Sequence, residues 1–148
     1  MQFDLDRFKK AQERDYATAL AELRAGRKRT HWIWYVFPQI DGLGRSSTAR
    51  YYAISGLDEA KAYLADPMLG SRLLECAQAL LDLPTNDPRA VLGFPDDLKV
   101  CSSMTLFEIA GEDDARWKAF GRVLDKYYGG TRDQATRNLL EGSTPNHR

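Results

Sequence analysis

The chain has 148 residues and 21 side chains of each charge sign, so its formal net charge is zero. This length predicts one domain, and the zero net charge gives no bulk electrostatic signal for nucleic acid or a membrane surface as a partner. Three features of the sequence favour a cytoplasmic protein. The two cysteines form no metal-ligand or disulfide pattern, no apolar run is long enough to span a membrane, and the N-terminus does not resemble a signal peptide.

The first predicted element is a helix that Asp6 can cap and Gly26 can end. An aromatic and β-branched segment follows at residues 32–37 and ends at Pro38. Such a composition predicts a short extended segment, an isolated or edge strand. A turn at residues 41–44 and a short helix over residues 45–54 come next.

Helical signals dominate the rest of the chain. Asp66 followed by Pro67 predicts the start of a strongly amphipathic helix. Other residues at predicted helix starts are Ser55 with Asp58, Ser102 or Ser103, Asp113 or Asp114, and Thr131. We therefore expect a mainly α fold, a compact multihelical single domain over residues 1–142 with at most one or two short strands. Residues 143–148 are expected to form a flexible tail.

The aromatic segment is the first candidate binding surface. If it is extended, Trp32, Trp34 and Val36 share one face and the residues between them share the other. One face must pack on the helices, and the other could pack as well or stack on a planar ring such as a nucleobase. Core packing is the commoner explanation for one strand, but aromatic residues on both faces exceed what a core requires.

A second candidate is the loop that leads into a helix and contains Asp96, Asp97, Lys99 and Ser103. Helix N-termini favour anions through free amides and the helix dipole. The same groups also explain a well-capped helix after a turn. Both interpretations are open at this stage.

Two further arrangements have catalytic interpretations. Glu75 lies in an apolar neighbourhood and could act as a general acid or base, although an ion pair with Arg72 one turn away is the simpler explanation. Cys101 with His31 as its base would provide a thiol nucleophile. A free cysteine is more often buried and inert.

Four strings carry a family resemblance: HWIWYVFPQIDGLGRSSTARYYAI, DPMLGSRLLECAQALL, FPDDLKVCSSMTLF and VLDKYYGG. Together they resemble domain of unknown function family 1810, a bacterial family sometimes mislabelled calpastatin. The resemblance covers nearly the whole chain and implies a compact, mainly helical fold. It implies no particular activity.

A more distant similarity is to the NADAR family, whose members process ADP-ribose and related N-ribosides. The order of Phe37-Pro38, the turn at Asp41, Tyr51-Tyr52-Ala53 and the later string at residues 125–129 is similar in that family. Its glutamate corresponds to Ala49 here and its histidine to Arg50. The resemblance therefore implies either a substitute carboxylate or binding without hydrolysis.

These observations predict a pocket for a phosphorylated riboside or nucleotide-like small molecule, such as an ADP-ribose derivative. If the protein is an enzyme, N-glycoside hydrolysis is the implied reaction, with Glu75 or Asp97 stabilising positive charge on the sugar. The alternative is a non-catalytic ligand-sensing or protein-interaction domain. No metal site or cofactor is predicted, and the sequence indicates no oligomeric state. The predicted ligand-binding residues are His31, Trp32, Trp34, Phe37, Gln39, Arg45, Ser46, Tyr51, Lys99 and Ser103.

Overall fold

The computed structural model describes residues 3–142, which fold into nine α-helices and one 3₁₀ turn, Ala115–Trp117. The helices are α1 (Asp6–Arg24), α2 (Ile33–Val36), α3 (Ser47–Tyr51), α4 (Leu57–Ala65), α5 (Pro67–Asp82), α6 (Pro88–Leu92), α7 (Asp96–Ala110), α8 (Lys118–Tyr128) and α9 (Gln134–Gly142). The mainly α, single-domain fold predicted from the sequence is confirmed. The flexible tail predicted at residues 143–148 lies outside the described residues.

The core is made by the long helices. α5 packs against α1 and α8, and α7 packs against α4 and α8. A chain of aromatic rings crosses this core from Tyr63 to Phe107 at 5.1 Å between centroids, then to Phe120 at 6.2 Å. Trp117 stacks on Phe120 at 5.7 Å. Each fully buried side chain of this size contributes roughly 1.5–3 kcal/mol of hydrophobic stabilisation.

The junction of α4 and α5 follows the sequence prediction. Asp66 accepts hydrogen bonds from the backbone N–H groups of Met68 and Leu69, both at 3.0 Å, and Pro67 occupies the first turn. Gly70 then lies so close to α4 that an added Cβ would be 2.2 Å from the carbonyl oxygen of Leu64. The two helices can pack this tightly only because position 70 has no side chain.

The strand predicted at residues 32–37 is wrong, because this segment contains the helical turn α2. Its backbone bonds are local, from Val36 N–H to the Trp32 carbonyl at 3.2 Å and from Phe37 N–H to the Ile33 carbonyl at 3.0 Å. The strand pairing found among residues 3–142 is one isolated parallel bridge, between Ile40 and Ile54. Aromatic residues favour β-strands mainly when they can pack beside a paired strand. This segment has no such neighbour among residues 3–142, so it does not form a strand.

Several predicted helix starts are also wrong. Asp6 lies inside α1 and Leu5 precedes it without a side-chain cap. α7 begins at Asp96, so Ser102 and Ser103 are buried in the middle of a helix rather than capping one. These short polar side chains can bond to several backbone groups, so the sequence leaves their role ambiguous.

The last helix and α4 are capped by different side chains from those predicted. Asp133, not Thr131, accepts from Thr136 at the start of α9, from the backbone N–H at 3.1 Å and from the hydroxyl at 2.6 Å. Before α4, Glu59 accepts from the N–H of Ser55 at 2.8 Å. Within residues 3–142, no helix is long and apolar enough to cross a membrane.

Candidate functional site

The chain between α1 and α2 is held by one carboxylate of α1. Glu22 accepts hydrogen bonds from the backbone N–H groups of Arg29 at 2.8 Å and Thr30 at 3.0 Å, and from the Trp32 indole at 2.9 Å. Burial raises the pKa of Glu22, but these hydrogen bonds outweigh it and lower the pKa to about 2. Glu22 is therefore ionised at neutral pH and sets the path of the chain into α2.

Two more side chains of α1 hold the segment that contains α2 and α3. The buried Gln12 donates to the Tyr35 carbonyl at 2.7 Å. Arg7 donates to the carbonyls of Tyr51 and Ala53, both at 2.8 Å. These side chains satisfy backbone carbonyls that need hydrogen-bond partners. Because α2 and α3 form few backbone hydrogen bonds with the rest of the chain, these contacts with α1 position them.

These contacts leave a cleft of about 530 Å³ between α1, α2 and α3, here called the aromatic cleft. Its aromatic walls are Trp34, Tyr35, Tyr51 and Tyr52, and its polar lining residues are Arg14, His31, Ser47 and Thr48. The Tyr51 ring is 58% exposed and meets Tyr52 edge-on at 4.8 Å between centroids. Both the size and the mixture of aromatic and polar groups are typical of small-molecule sites, which span about 300–1,000 Å³.

A hydrogen-bond network lies beneath the aromatic cleft. The Tyr35 hydroxyl donates to the Asp15 carboxylate and accepts from Arg14 at 3.4 Å. Burial, together with the bond to Asp15, raises the pKa of Tyr35. The hydrogen bond from Arg14 lowers the pKa of the Asp15 carboxyl. The phenol is therefore neutral and the carboxylate ionised at neutral pH.

The structure brings together three of the predicted ligand-binding residues, since His31, Trp34 and Tyr51 all line the aromatic cleft. Trp32 and Phe37 do not line it. They are fully buried, with ring centroids 6.3 Å apart, because α2 turns both side chains into the core. Their ring faces are covered by protein and offer no stacking surface.

Three other predicted residues lie outside the lining of this cleft. The Ser46 hydroxyl caps α3 by accepting from the Ala49 N–H at 3.1 Å. The Gln39 carbonyl accepts from the Ile54 N–H at 2.8 Å, and Arg45 is exposed. Ser46 and the Gln39 backbone thus shape the loop around the cleft.

Of the predicted ligand-binding residues on α7, Lys99 contacts a residue of the aromatic cleft. The Lys99 ammonium lies 5.3 Å from the Trp34 ring centroid and 3.4 Å from Asp96. Lys99 therefore supports a residue of the cleft without lining it. Ser103 is fully buried, and among residues 3–142 its hydroxyl has no hydrogen-bond partner.

The two predicted catalytic carboxylates lie apart. Asp97 is buried on α7, and one of its oxygens has no hydrogen-bond partner in the described part of the chain. Glu75 lines a different cleft, accepts from the Tyr16 hydroxyl and pairs with Arg24 at 3.4 Å. Neither carboxylate lines the aromatic cleft.

The Cys101 thiol is not arranged as a nucleophile with His31. Burial, together with the nearby Asp133 carboxylate, raises the pKa of Cys101 to about 11, so the thiol is protonated at neutral pH. Its sulfur lies 4.0 Å from the Thr131 carbonyl oxygen, whereas His31 lines the aromatic cleft. Within residues 3–142, no group of three or more His, Cys, Asp or Glu side chains is placed to hold a metal ion.

Sequence reasoning missed most of the polar lining of the aromatic cleft. Arg14 comes from the opposite wall, on α1, and nothing in its local sequence distinguishes it from other exposed helix residues. Ser47, Thr48 and Tyr52 lie within two residues of predicted positions, Ser46 and Tyr51, so a wider window around those positions would have included them.

Three comparisons with known proteins bear on this fold. The family model described as "Protein of unknown function (DUF1810)" matches residues 2–140. The crystal structure of the conserved hypothetical protein Rv1873 from Mycobacterium tuberculosis is similar, with 49% sequence identity and a TM-score of 0.87. That match covers 93% of this chain and 96% of the other. A search of the curated proteins finds no match.

Proposed function

The chain belongs to the DUF1810 family, as its sequence predicted, and from that premise we propose that it binds a nucleotide-like small molecule, such as an ADP-ribose derivative, in the aromatic cleft. Tyr51 carries the proposal, because its 58% exposed ring stands in a concave site with three other aromatic residues. Exposed aromatic surface of this kind marks binding sites, and stacking on one base is worth about 1–3 kcal/mol.

The polar lining supports a riboside rather than a purely apolar ligand. His31, Ser47 and Thr48 offer donors and acceptors for sugar hydroxyls. Arg14 adds a cation, already paired with Asp15 at 3.0 Å, that can share a hydrogen bond with a ligand oxygen. The order of motifs similar to the NADAR family supports the same class of ligand, and that resemblance stays a prediction.

The lining of the aromatic cleft favours binding of the ligand without its hydrolysis. N-glycoside hydrolysis needs a carboxylate close to the sugar carbon, where positive charge develops. Among the described residues that line the aromatic cleft there is no Asp or Glu. The nearest carboxylate of the network, Asp15, is occupied by Arg14 and Tyr35. Ala49, at the position of the NADAR glutamate, cannot replace it.

The test is isothermal titration of the full chain with ADP-ribose, AMP and ribose 5-phosphate. We expect ADP-ribose and AMP to bind, and Tyr51→Ala to weaken their affinity about tenfold because stacking is lost. Tyr51→Phe keeps the ring and should bind almost as wild type. Phe94→Ala is the matched control, because Phe94 is an aromatic residue outside the cleft with 63% exposure.

Two results would overturn the proposal. The first is the absence of binding by any of the three compounds at millimolar concentration. The second is an equal loss of affinity in Tyr51→Ala and Phe94→Ala. Release of adenine from ADP-ribose by the wild type, which requires cleavage of its N-glycosidic bond by water, would overturn the non-catalytic part alone. A cytoplasmic location is also proposed, supported by two free thiols, Cys76 and Cys101, and cell fractionation tests it.

A further inference from the structure

A larger cleft of about 600 Å³ lies between the C-terminal end of α1, the outer face of α5 and the start of α8, and we call it the basic cleft. We infer that it binds a small molecule that carries a diphosphate or a similarly close pair of anionic groups. No residue lines both this cleft and the aromatic cleft, so the inference goes beyond the proposed function. Its cationic lining residues are Arg24, Arg72, Arg116, Lys118 and Arg122.

The carboxylates of the basic cleft compensate only part of this charge. Glu75 and Asp82 are its acidic lining residues, against five cations. Glu75 pairs with Arg24 at 3.4 Å, and Asp82 accepts from the Gln78 amide at 3.1 Å. The lining therefore carries a formal charge of about +3 in a chain whose net charge is zero.

Lys118 and Arg122 are two of the four cations of the basic cleft that form no ion pair among the described residues, the others being Arg72 and Arg116. Both also line a smaller neighbouring cleft, whose acidic lining residues are Glu108, Glu112, Asp114 and Asp125. They stand four residues apart, where like charges on a helix repel each other. Lys118 also lies in the first turn of α8 (Lys118–Tyr128), where the helix dipole disfavours a cation. A bound anion would relieve both unfavourable interactions.

Two arginines of the basic cleft are held in position by aromatic rings. The Arg72 guanidinium lies 4.7 Å from the Tyr16 ring centroid and donates to Gln12 at 3.4 Å. The Arg116 guanidinium lies 4.2 Å from the Trp117 ring centroid. A guanidinium stacked on a ring keeps N–H groups on its edge, and these match the oxygens of a phosphate in a bidentate geometry. Such arginines lose less conformational freedom on binding than free ones.

The size of the basic cleft favours a small molecule. Its volume of about 600 Å³ falls in the range of about 300–1,000 Å³ that small-molecule sites span. Apolar surface from Leu74, Ala79 and Ala119 lies beside the cations. That surface can cover the uncharged part of a ligand while its anionic groups contact the arginines and Lys118.

The experiment titrates the full chain with inorganic pyrophosphate and compares the double variant Lys118→Gln/Arg122→Gln. We expect wild type to bind pyrophosphate and the double variant to bind about tenfold more weakly. Lys10→Gln/Arg27→Gln is the matched control, since it removes the same charge from two exposed residues outside the cleft. Thermal unfolding without ligand shows whether the double variant folds, and it should be at least as stable as wild type because a like-charge contact is removed.

Three results that do not involve the aromatic cleft would overturn the inference. They are no binding of pyrophosphate at low salt, an equal loss of affinity in the control pair, and binding of an acidic peptide in place of pyrophosphate. Tyr51→Ala separates this site from the aromatic cleft. We expect that variant to keep wild-type affinity for pyrophosphate, and a loss there would assign the anion to the aromatic cleft and overturn the inference as well.

Discussion

Two regions of the molecule differ in what fixes the path of their backbone. α5 and α8 are held by buried apolar side chains, among them Leu73 and Phe120. The segment between α1 and α4 also buries apolar side chains such as Trp32 and Phe37. Its short helices are positioned, in addition, by the polar side chains of Arg7, Gln12 and Glu22 on α1, which bond to its backbone. The helical body can therefore be recognised from apolar spacing, whereas the segment that forms the aromatic cleft depends on contacts between residues distant in sequence.

The largest effect is expected in the helical body. Phe120 is fully buried between Phe107 and Trp117, so Phe120→Ala should lower the free energy of unfolding by about 3–5 kcal/mol. Denaturant unfolding measures the change. Phe94→Ala removes an exposed ring and should cost less than about 1 kcal/mol. Equal losses in the two variants would contradict a core centred on these rings.

A smaller and more local effect is expected for Glu22→Gln. Loss of the charge-assisted hydrogen bonds to Arg29 and Thr30 should cost about 1–3 kcal/mol. Hydrogen exchange should be faster at those two amides than in α5. Glu13→Gln, an exposed position on the same helix, should change neither. Unchanged exchange at residues 29 and 30 would show that Glu22 does not hold this segment.

The same carboxylate predicts a pH dependence. The folded-state pKa of Glu22, about 2, lies below its ordinary value, so its contribution is complete above the unfolded pKa of about 4.3 and is lost as pH falls towards 2. Wild type should thus lose more stability than Glu22→Gln between about pH 5 and pH 2. Parallel curves for the two proteins in this range would contradict the assignment.

Tyr51→Ala is expected to have a small effect on stability and a large effect on ligand binding. Tyr51 is mostly exposed, so Tyr51→Ala should lower the free energy of unfolding by less than about 1 kcal/mol while it weakens nucleotide binding. Thermal unfolding and titration of one preparation measure both. A large loss of stability would assign the ring to the structure of the segment rather than to a ligand.

The difference between these two regions also explains which features the sequence could predict. The mainly α fold follows from apolar spacing and from local signals such as Asp66-Pro67, which act within one helix turn. α2 was missed because its conformation depends on Gln12, which lies 23 residues before its partner Tyr35, and on Glu22, which lies 10 residues before Trp32. The lining of the aromatic cleft could be predicted in part: the aromatic segment indicated Trp34 and the NADAR resemblance indicated Tyr51, but Arg14 joins them only through the packing of α1.

α1 lines both clefts, with Arg14 in the aromatic cleft and Arg24 in the basic cleft. Ten residues of one continuous helix separate them by about 15 Å along its axis and by about 80° around it. The helix thus acts as a rigid spacer between two clefts that face different directions. Ligands in the two clefts would not touch, and their binding free energies should add, so that filling one cleft leaves the affinity of the other unchanged.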